Sequence, residues 1–318
     1  MKKWIILLIL GAMGCTLAAK DLNVLMIGNS FSICVGYNLP QIVHSVPGHH
    51  LKLTSAYIGG CPLEKHWNNI LAAEKDPDAK QYKINIWDSN TPNEKKEYRG
   101  NVATLLKNNT YDIISIQQAS PKSWQYETYQ PYAENLIAYI RKHNPKAEII
   151  VQQTWSYRRD DIRLLPGEKS WGFDQTEMAK RVTDAYRKLA ATGPFRVIPV
   201  GDAIQIARTE EDGDYKILSA AERAKFQEPD LPDQSGDVVG KDFWGNDKKT
   251  GKRSLRADAI HLNRKGEYLQ ACVWFAILFR EPTSKITYNN SNFDAAYNKF
   301  LRECAQKAVD QYKQLPGI

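Results

Sequence analysis

The chain has 318 residues, 42% of them hydrophobic and 25% charged, with a formal charge of +7. This is ordinary globular composition, enough for one large α/β domain and not for an obvious pair. The basic excess is spread along the chain and no nucleic-acid-binding motif is present, so no nucleic-acid partner is expected.

Residues 1–19 read as an export leader. Lys2 and Lys3 precede an apolar core from Trp4 to about Leu10, and small residues follow up to Ala18-Ala19. The apolar run is too short for a stable membrane span. Cleavage after Ala19 leaves Lys20 first, in a periplasmic or secreted protein. Met13-Gly14-Cys15 carries the rival reading of a lipoprotein, with the membrane as a partner only if Cys15 is lipidated. Residues 20–318 then form a single domain.

Leu22 to Ile27 is the first predicted strand, apolar enough for burial on both faces. It stops in Gly28-Asn29-Ser30-Phe31-Ser32, which presents a hydroxyl at the carboxyl edge of a sheet, where open α/β sheets bind ligands. Val35 to His44 reads as a short helix limited by Pro40. Leu51 to Tyr57 is a second strand, ending in Ile58-Gly59-Gly60-Cys61, where paired glycines permit close backbone approach. Asp76 to Gly100, rich in Asn, Lys and Pro, reads as a surface excursion.

Tyr111 to Ile116 is a third strand, running into Gln117-Gln118-Ala119. Pro131 to His143 is a helix. Glu148 to Gln153 is a fourth strand, Asp174 to Ala191 a long helix capped by Asp174, and Phe195 to Val200 a fifth strand followed by a helix to Arg208. Residues 209–256 read as a polar inserted loop region with one helix, Ser219 to Phe226, and a basic run at Lys248-Lys249 and Lys252-Arg253 that reads as a solvated loop, with a patch for acidic glycans as the rival reading. Arg264 to Phe279 and Asp294 to Lys313 close the chain as helices. Strands alternating with helices predict a doubly wound parallel sheet of five strands with helices on both faces.

Asp258-Ala259-Ile260-His261 lies just before the penultimate helix. A serine hydroxyl needs a base to remove its proton, and that base needs an acid to hold its tautomer. Gly28-Asn29-Ser30 near the start, with Asp258-x-x-His261 near the end, resembles the SGNH (GDSL) hydrolase family, with Asn29 where the usual motif has Asp. The resemblance implies a flavodoxin-like three-layer α/β/α sandwich over roughly Leu22 to Phe279. It implies an esterase without a cofactor, with Ser30 as nucleophile, His261 as general base and Asp258 as its partner. The oxyanion hole it implies comprises the N–H groups of Ser30 and of Gly59 or Gly60, and a side-chain amide. The family places an Asn after the third strand; here Gln117 or Gln118 is the candidate, with Gln117 preferred. Residues 58–66, the Gln117-Gln118 turn and residues 266–274 resemble an exported branch found in glycan-degrading gut bacteria.

An exported esterase with Trp67, Trp124, Trp155, Trp171 and Trp244 near strand-edge loops suggests sugar stacking. The expected reaction is removal of acetyl groups from an acylated glycan, with Trp155, Trp124 and His66 as substrate-binding candidates. A lipase or thioesterase of the same fold and an inactive glycan-binding protein are the rival readings. No metal cluster or phosphate loop is evident. Of Cys34, Cys61, Cys272 and Cys304, a Cys34–Cys61 disulfide is the pairing considered, because Cys34 follows Ser30 by four residues and Cys61 directly follows Gly60. Cys61–Cys272 pairing and free buried thiols compete with it.

Overall fold

The structure, a computed structural model, describes residues 19–211, 214–247 and 250–313. The leader and Cys15 lie outside the described residues. β1 (Lys20–Gly28) is the central strand, and Val24 to Ile27 are buried on both faces. After it come α1 (Ser30–Ile33), a 3₁₀ turn (Cys34–Tyr37) and α2 (Leu39–His44), with Pro40 in the first turn of α2, where its missing N–H costs nothing. β2 (His49–Tyr57), α3 (Leu63–Lys75), β3 (Tyr82–Asp88), β4 (Lys96–Gly100) and α4 (Val102–Asn108) follow. Then come β5 (Ile113–Ile116), α5 (Tyr132–His143), β6 (Glu148–Gln152), α6 (Gln175–Ala190), β7 (Arg196–Ile198) and α7 (Val200–Glu210). The last part holds α8 (Ala220–Arg223), the hairpin of β8 (Val239–Asn246) and β9 (Arg253–Leu262), α9 (Arg264–Phe279) and α10 (Ala295–Lys313).

The main sheet has seven strands in the order β4-β3-β2-β1-β5-β6-β7. Its five parallel strands are the five expected from sequence. The expected sheet of five is corrected by β3 and β4, which extend one edge antiparallel, with Leu53 opposite Trp87 and Ile84 opposite Tyr98. The stretch from Asp76 to Gly100 is therefore not a plain excursion. Tyr82-Lys83-Ile84-Asn85-Ile86-Trp87 alternates at the period of a strand, and its composition masks that period. β4 is short, charged and exposed, as suits a sheet edge.

Two helical layers cover the sheet. On one side α2, α7, α9 and α10 pack on one another; α3, α4 and α5 group together elsewhere. α9 is apolar nearly all round and buried from Tyr268 to Phe279, because α2, α7 and α10 enclose it. Within the parallel set, β1 neighbours β2 on one side and β5 on the other, so chain direction through the sheet reverses at β1. The carboxyl end of β1 is thus the switch point where such sheets leave a crevice.

The expected loop region 209–256 is also corrected. It contains α8, closed by a reciprocal Ser219–Glu222 capping box, and most of the β8–β9 hairpin. Asp258 and His261 sit on β9. The Asp174 cap is as expected, its carboxylate accepting from Glu177 N at 2.9 Å. Replacing it with Ala should lower stability by about 1 kcal/mol in chemical denaturation, and Asp174→Asn should retain most of that.

Candidate active site

Ser30 is the first residue of α1, immediately past the end of β1. Gly28 lets the chain turn there: a Cβ on it would lie 2.3 Å from Ser32 Oγ. His261 comes from the other end of the chain, and its Nε2 lies 2.9 Å from Ser30 Oγ. Its Nδ1 lies 2.8 Å from Asp258 Oδ2. Asp258 Oδ1 accepts from the backbone N–H groups of Ile260 and His261, at 3.0 and 3.1 Å. Burial pushes the Asp258 carboxyl upward, but the bonds from His261 and these N–H groups outweigh it and hold the group well below the ordinary carboxylate range. An ionised carboxylate only accepts, so Nδ1 carries the imidazole proton and Nε2 is free to accept from the Ser30 hydroxyl. The structure thus brings Ser30, His261 and Asp258 into one chain of hydrogen bonds.

Gly59 and Gly60 form the turn after β2. Gly60 has φ +60°, a left-handed conformation that favours glycine. Asn29 ties this turn to the serine turn. Its Nδ2 donates to the Cys61 carbonyl at 3.1 Å, and its Oδ1 accepts from Phe31 N at 3.0 Å, capping α1. An Asp at this position would offer no donor to the Cys61 carbonyl. The departure from the usual motif therefore has a structural use.

The amide carried over from the resemblance is corrected. Gln117 Nε2 donates to Asn29 Oδ1 at 2.7 Å, and Gln117 Oε1 accepts from Gln152 Nε2 at 2.9 Å. Gln152 Oε1 in turn accepts from Trp274 Nε1 at 3.1 Å. Gln117 is buried beneath the site as one link of a relay from Trp274 to Asn29 and does not point its amide at a reacting oxygen. Gln118 is also engaged: its Oε1 accepts from Leu63 N and Ala119 N, and its Nε2 donates to Thr128. Sequence reasoning found the two glutamines but not their partners, which lie on other strands and helices.

Two substrate-binding candidates are corrected as well. Trp155 is buried, stacked on Phe31 with ring centroids 4.0 Å apart, and its Nε1 donates to the Ile260 carbonyl at 2.9 Å. Phe31 meets the His261 ring edge-on at 5.6 Å. Trp155 thus braces the strand that carries His261 from behind. His66 is buried on α3, with Nδ1 2.9 Å from the Tyr82 hydroxyl. Burial and the nearby Lys65 push its pKa down to about 3, so it is neutral at physiological pH. Trp124 is half-buried, with its ring against Trp171 and Phe173 and Arg181 beside it.

Arg158 is a residue that the sequence did not single out. Its N–H donates to the Ala259 carbonyl at 2.8 Å. Its guanidinium, almost fully buried, pairs with Asp160 and with Asp242 of β8 and lies 4.2 Å over the Tyr215 ring. It fastens the hairpin bearing Asp258 and His261 to the loop after β6.

Cys34, Cys61, Cys272 and Cys304 are free thiols, which corrects the Cys34–Cys61 pairing. Cys34 Sγ turns to α9 and donates to Gln270 Oε1 at 2.9 Å. Burial raises every one of these thiols, Cys61 and Cys272 to about 12.

The family described as Domain of unknown function (DUF4886) matches residues 23–218, a span that includes Ser30, Gly59 and Gly60 and ends before the β8–β9 hairpin. A crystal structure of a DUF4886 family protein from Bacteroides uniformis ATCC 8492 is similar with a TM-score of 0.72 and 27% identity, over 94% of this chain and 98% of that one. A member of the lipolytic protein G-D-S-L family from Veillonella parvula DSM 2008 gives a TM-score of 0.42 and 13% identity, over 82% and 100% of the two chains. The acetyl xylan esterase AlAXEase gives 0.41 and 12%, over 80% and 99%. No curated protein matches the chain.

Two expected outcomes follow from the buried polar groups. Gln117→Ala leaves Asn29 and Gln152 each short of a partner, and should cost about 1–3 kcal/mol in denaturation. His66 makes stability depend on acid. An unfolded histidine takes up its proton near pH 6.5, whereas His66 resists protonation until about pH 3. Between those values the unfolded state binds more protons, so stability falls as pH falls. Denaturation of His66→Phe across that range should show a shallower slope than the parent.

Proposed function

The chain belongs to the DUF4886 family, and we propose that it is a serine hydrolase that cleaves carboxylic esters through Ser30, His261 and Asp258. The observation that carries this reading is the paired geometry at His261: 2.9 Å from Nε2 to Ser30 Oγ and 2.8 Å from Nδ1 to Asp258 Oδ2. Both distances lie within the reach that nucleophilic activation needs. In this mechanism Ser30 Oγ attacks the ester carbonyl as His261 Nε2 takes its proton. Asp258 stabilises the imidazolium. Collapse of the tetrahedral intermediate expels the alcohol, which takes the proton back from His261. Water, activated by the same imidazole, then releases the acid from the acyl-enzyme.

The oxyanion would be met by backbone donors: the N–H of Ser30, which as the first residue of a helix has no intrahelical acceptor, and that of Gly59 or Gly60. Gln117 supports them indirectly, through Asn29 and the Cys61 carbonyl. On this reading the fold is of the SGNH type, and the preferred substrate is a short acyl group, such as acetyl, on a carbohydrate outside the cytoplasm. The charged surface of the β8–β9 hairpin suits a hydrated alcohol better than a long acyl chain.

Hydrolysis of p-nitrophenyl acetate tests the reaction. Ser30→Ala should lower kcat/KM by at least ~10³-fold, and Asp258→Asn by about 10²–10⁴-fold. A fluorophosphonate should label the parent at Ser30. Equal turnover by the parent and Ser30→Ala would sink the proposal.

A further inference from the structure

A cavity of about 620 Å³ is lined by residues that neighbour the triad in sequence or across the hairpin, while Ser30, Asp258 and His261 do not themselves line it. Tyr37 ends the 3₁₀ turn that follows Ser30 and α1, Leu262 directly follows His261, and Lys241 is the cross-strand partner of Asp258. Arg264, Glu267 and Phe293 line it too. We propose that this cavity is a subsite for a carboxylate-bearing sugar, so that the alcohol half of the ester belongs to an acidic glycan. The proposal rests on the hydrolase reading above and adds the substrate class.

The charges in the cavity support it. Asp242, also in the wall, is committed to Arg158 and Arg223. Lys265 is committed to Glu211 and lies 4.6 Å over the Tyr297 ring. Lys241 and Arg264 have no ion-pair partner among the described residues, and both are exposed. Glu267, partly buried in the same wall, makes no side-chain hydrogen bond among the described residues. Burial raises its carboxyl above the ordinary range, and the nearby Arg264 and Lys241 offset only part of that rise. Two cations against one carboxylate leave a single positive charge to be matched.

A uronate-type sugar matches that balance. Its one carboxylate meets the guanidinium of Arg264 in the planar, two-pronged geometry that such pairs favour, with Lys241 beside it. Glu267 accepts from ring hydroxyls. Tyr37 is 49% exposed and offers an aromatic face to the sugar ring. A phosphate dianion fits less well, because it would carry a second negative charge toward Glu267. The neighbouring hairpin adds to the positive field through Lys252 and Arg256, on or beside β9, whereas Arg253 there is paired with Glu228; the two favour the approach of an acidic polymer.

The test separates binding from turnover. Ser30→Ala protein is titrated by calorimetry with oligogalacturonate and with neutral xylo-oligosaccharide. Oligogalacturonate alone should bind, more weakly in higher salt. Adding Arg264→Ala or Lys241→Ala to the Ser30→Ala protein should weaken that binding about tenfold each, and Lys241→Glu more. In the otherwise unaltered enzyme, either alanine variant should lower kcat/KM on acetylated pectin about tenfold relative to its own value on p-nitrophenyl acetate. Equal binding of the two oligosaccharides, binding of neither, or retention of affinity without the cations would overturn the subsite. Hydrolysis of p-nitrophenyl acetate by the parent tests the catalytic reading independently, so either can fail while the other stands.

Discussion

The bond from Asn29 Nδ2 to the Cys61 carbonyl sets the spacing between two turns that no covalent link joins. One turn carries Ser30 and the other Gly59-Gly60. β1 and β2 lie side by side in register, so their carboxyl ends are close whatever the side chains are. The strand pairing does not fix how each turn leaves its strand. Asn29 does, because it donates to one turn and caps the other. Its Oδ1 is held by Gln117, Gln117 by Gln152, and Gln152 by Trp274 on α9. Each amide in this buried series both donates and accepts, so its orientation is specified by its neighbours. The same series attaches to the backbone behind the serine, since Gln152 and Gln270 both donate to the Phe31 carbonyl, at 2.7 and 2.8 Å.

The other half of the site depends on docking a two-stranded hairpin that is not part of the main sheet. A lone hairpin is marginal in water. Here three contacts hold it at the place where His261 is needed. Trp155 donates to the Ile260 carbonyl, Arg158 N donates to the Ala259 carbonyl, and the Arg158 guanidinium pairs with Asp242 across the hairpin. A buried charge of this kind specifies arrangement more than it adds stability, since desolvation offsets most of the attraction. Asn263 completes the join by capping α9 and donating to the carbonyls of Asp237 and Gly240. The residues after His261 are therefore fixed in both directions along the chain.

These two devices put the most restrained atoms around the serine and leave the more open, charged surface beside it. The aromatic side chains divide accordingly. Phe31 and Trp155 are stacked and buried behind His261, and Trp124 is packed with Trp171 and Phe173. Tyr37, at the end of the turn after the serine, keeps half its surface in solvent. Rigid groups hold the reacting geometry, and solvated groups are left to meet a substrate.

The amino-acid sequence by itself determined the five parallel strands, most of the helices with the Asp174 cap, and the serine, aspartate and histidine that meet in space. Each of these rests on local pattern: a continuous apolar run, a cap three residues before the N–H it accepts from, a Gly-x-Ser turn, an Asp three residues before a His. The strand Tyr82 to Asp88 was legible too, but only by its period, because lysine and asparagine between its apolar residues made its composition look like a loop. The tertiary structure decided the rest, since the partners involved are far apart along the chain. Gln117 and Asn29 are 88 residues apart, Gln152 and Trp274 are 122 apart, and Trp155 and Ile260 are 105 apart. A glutamine amide, a tryptophan or a cysteine reads the same in sequence whether it faces a substrate or a buried carbonyl. Which of these it meets depends on long-range packing, and that packing turned the expected oxyanion amide, sugar-stacking indole and disulfide into an internal relay, a brace and free thiols.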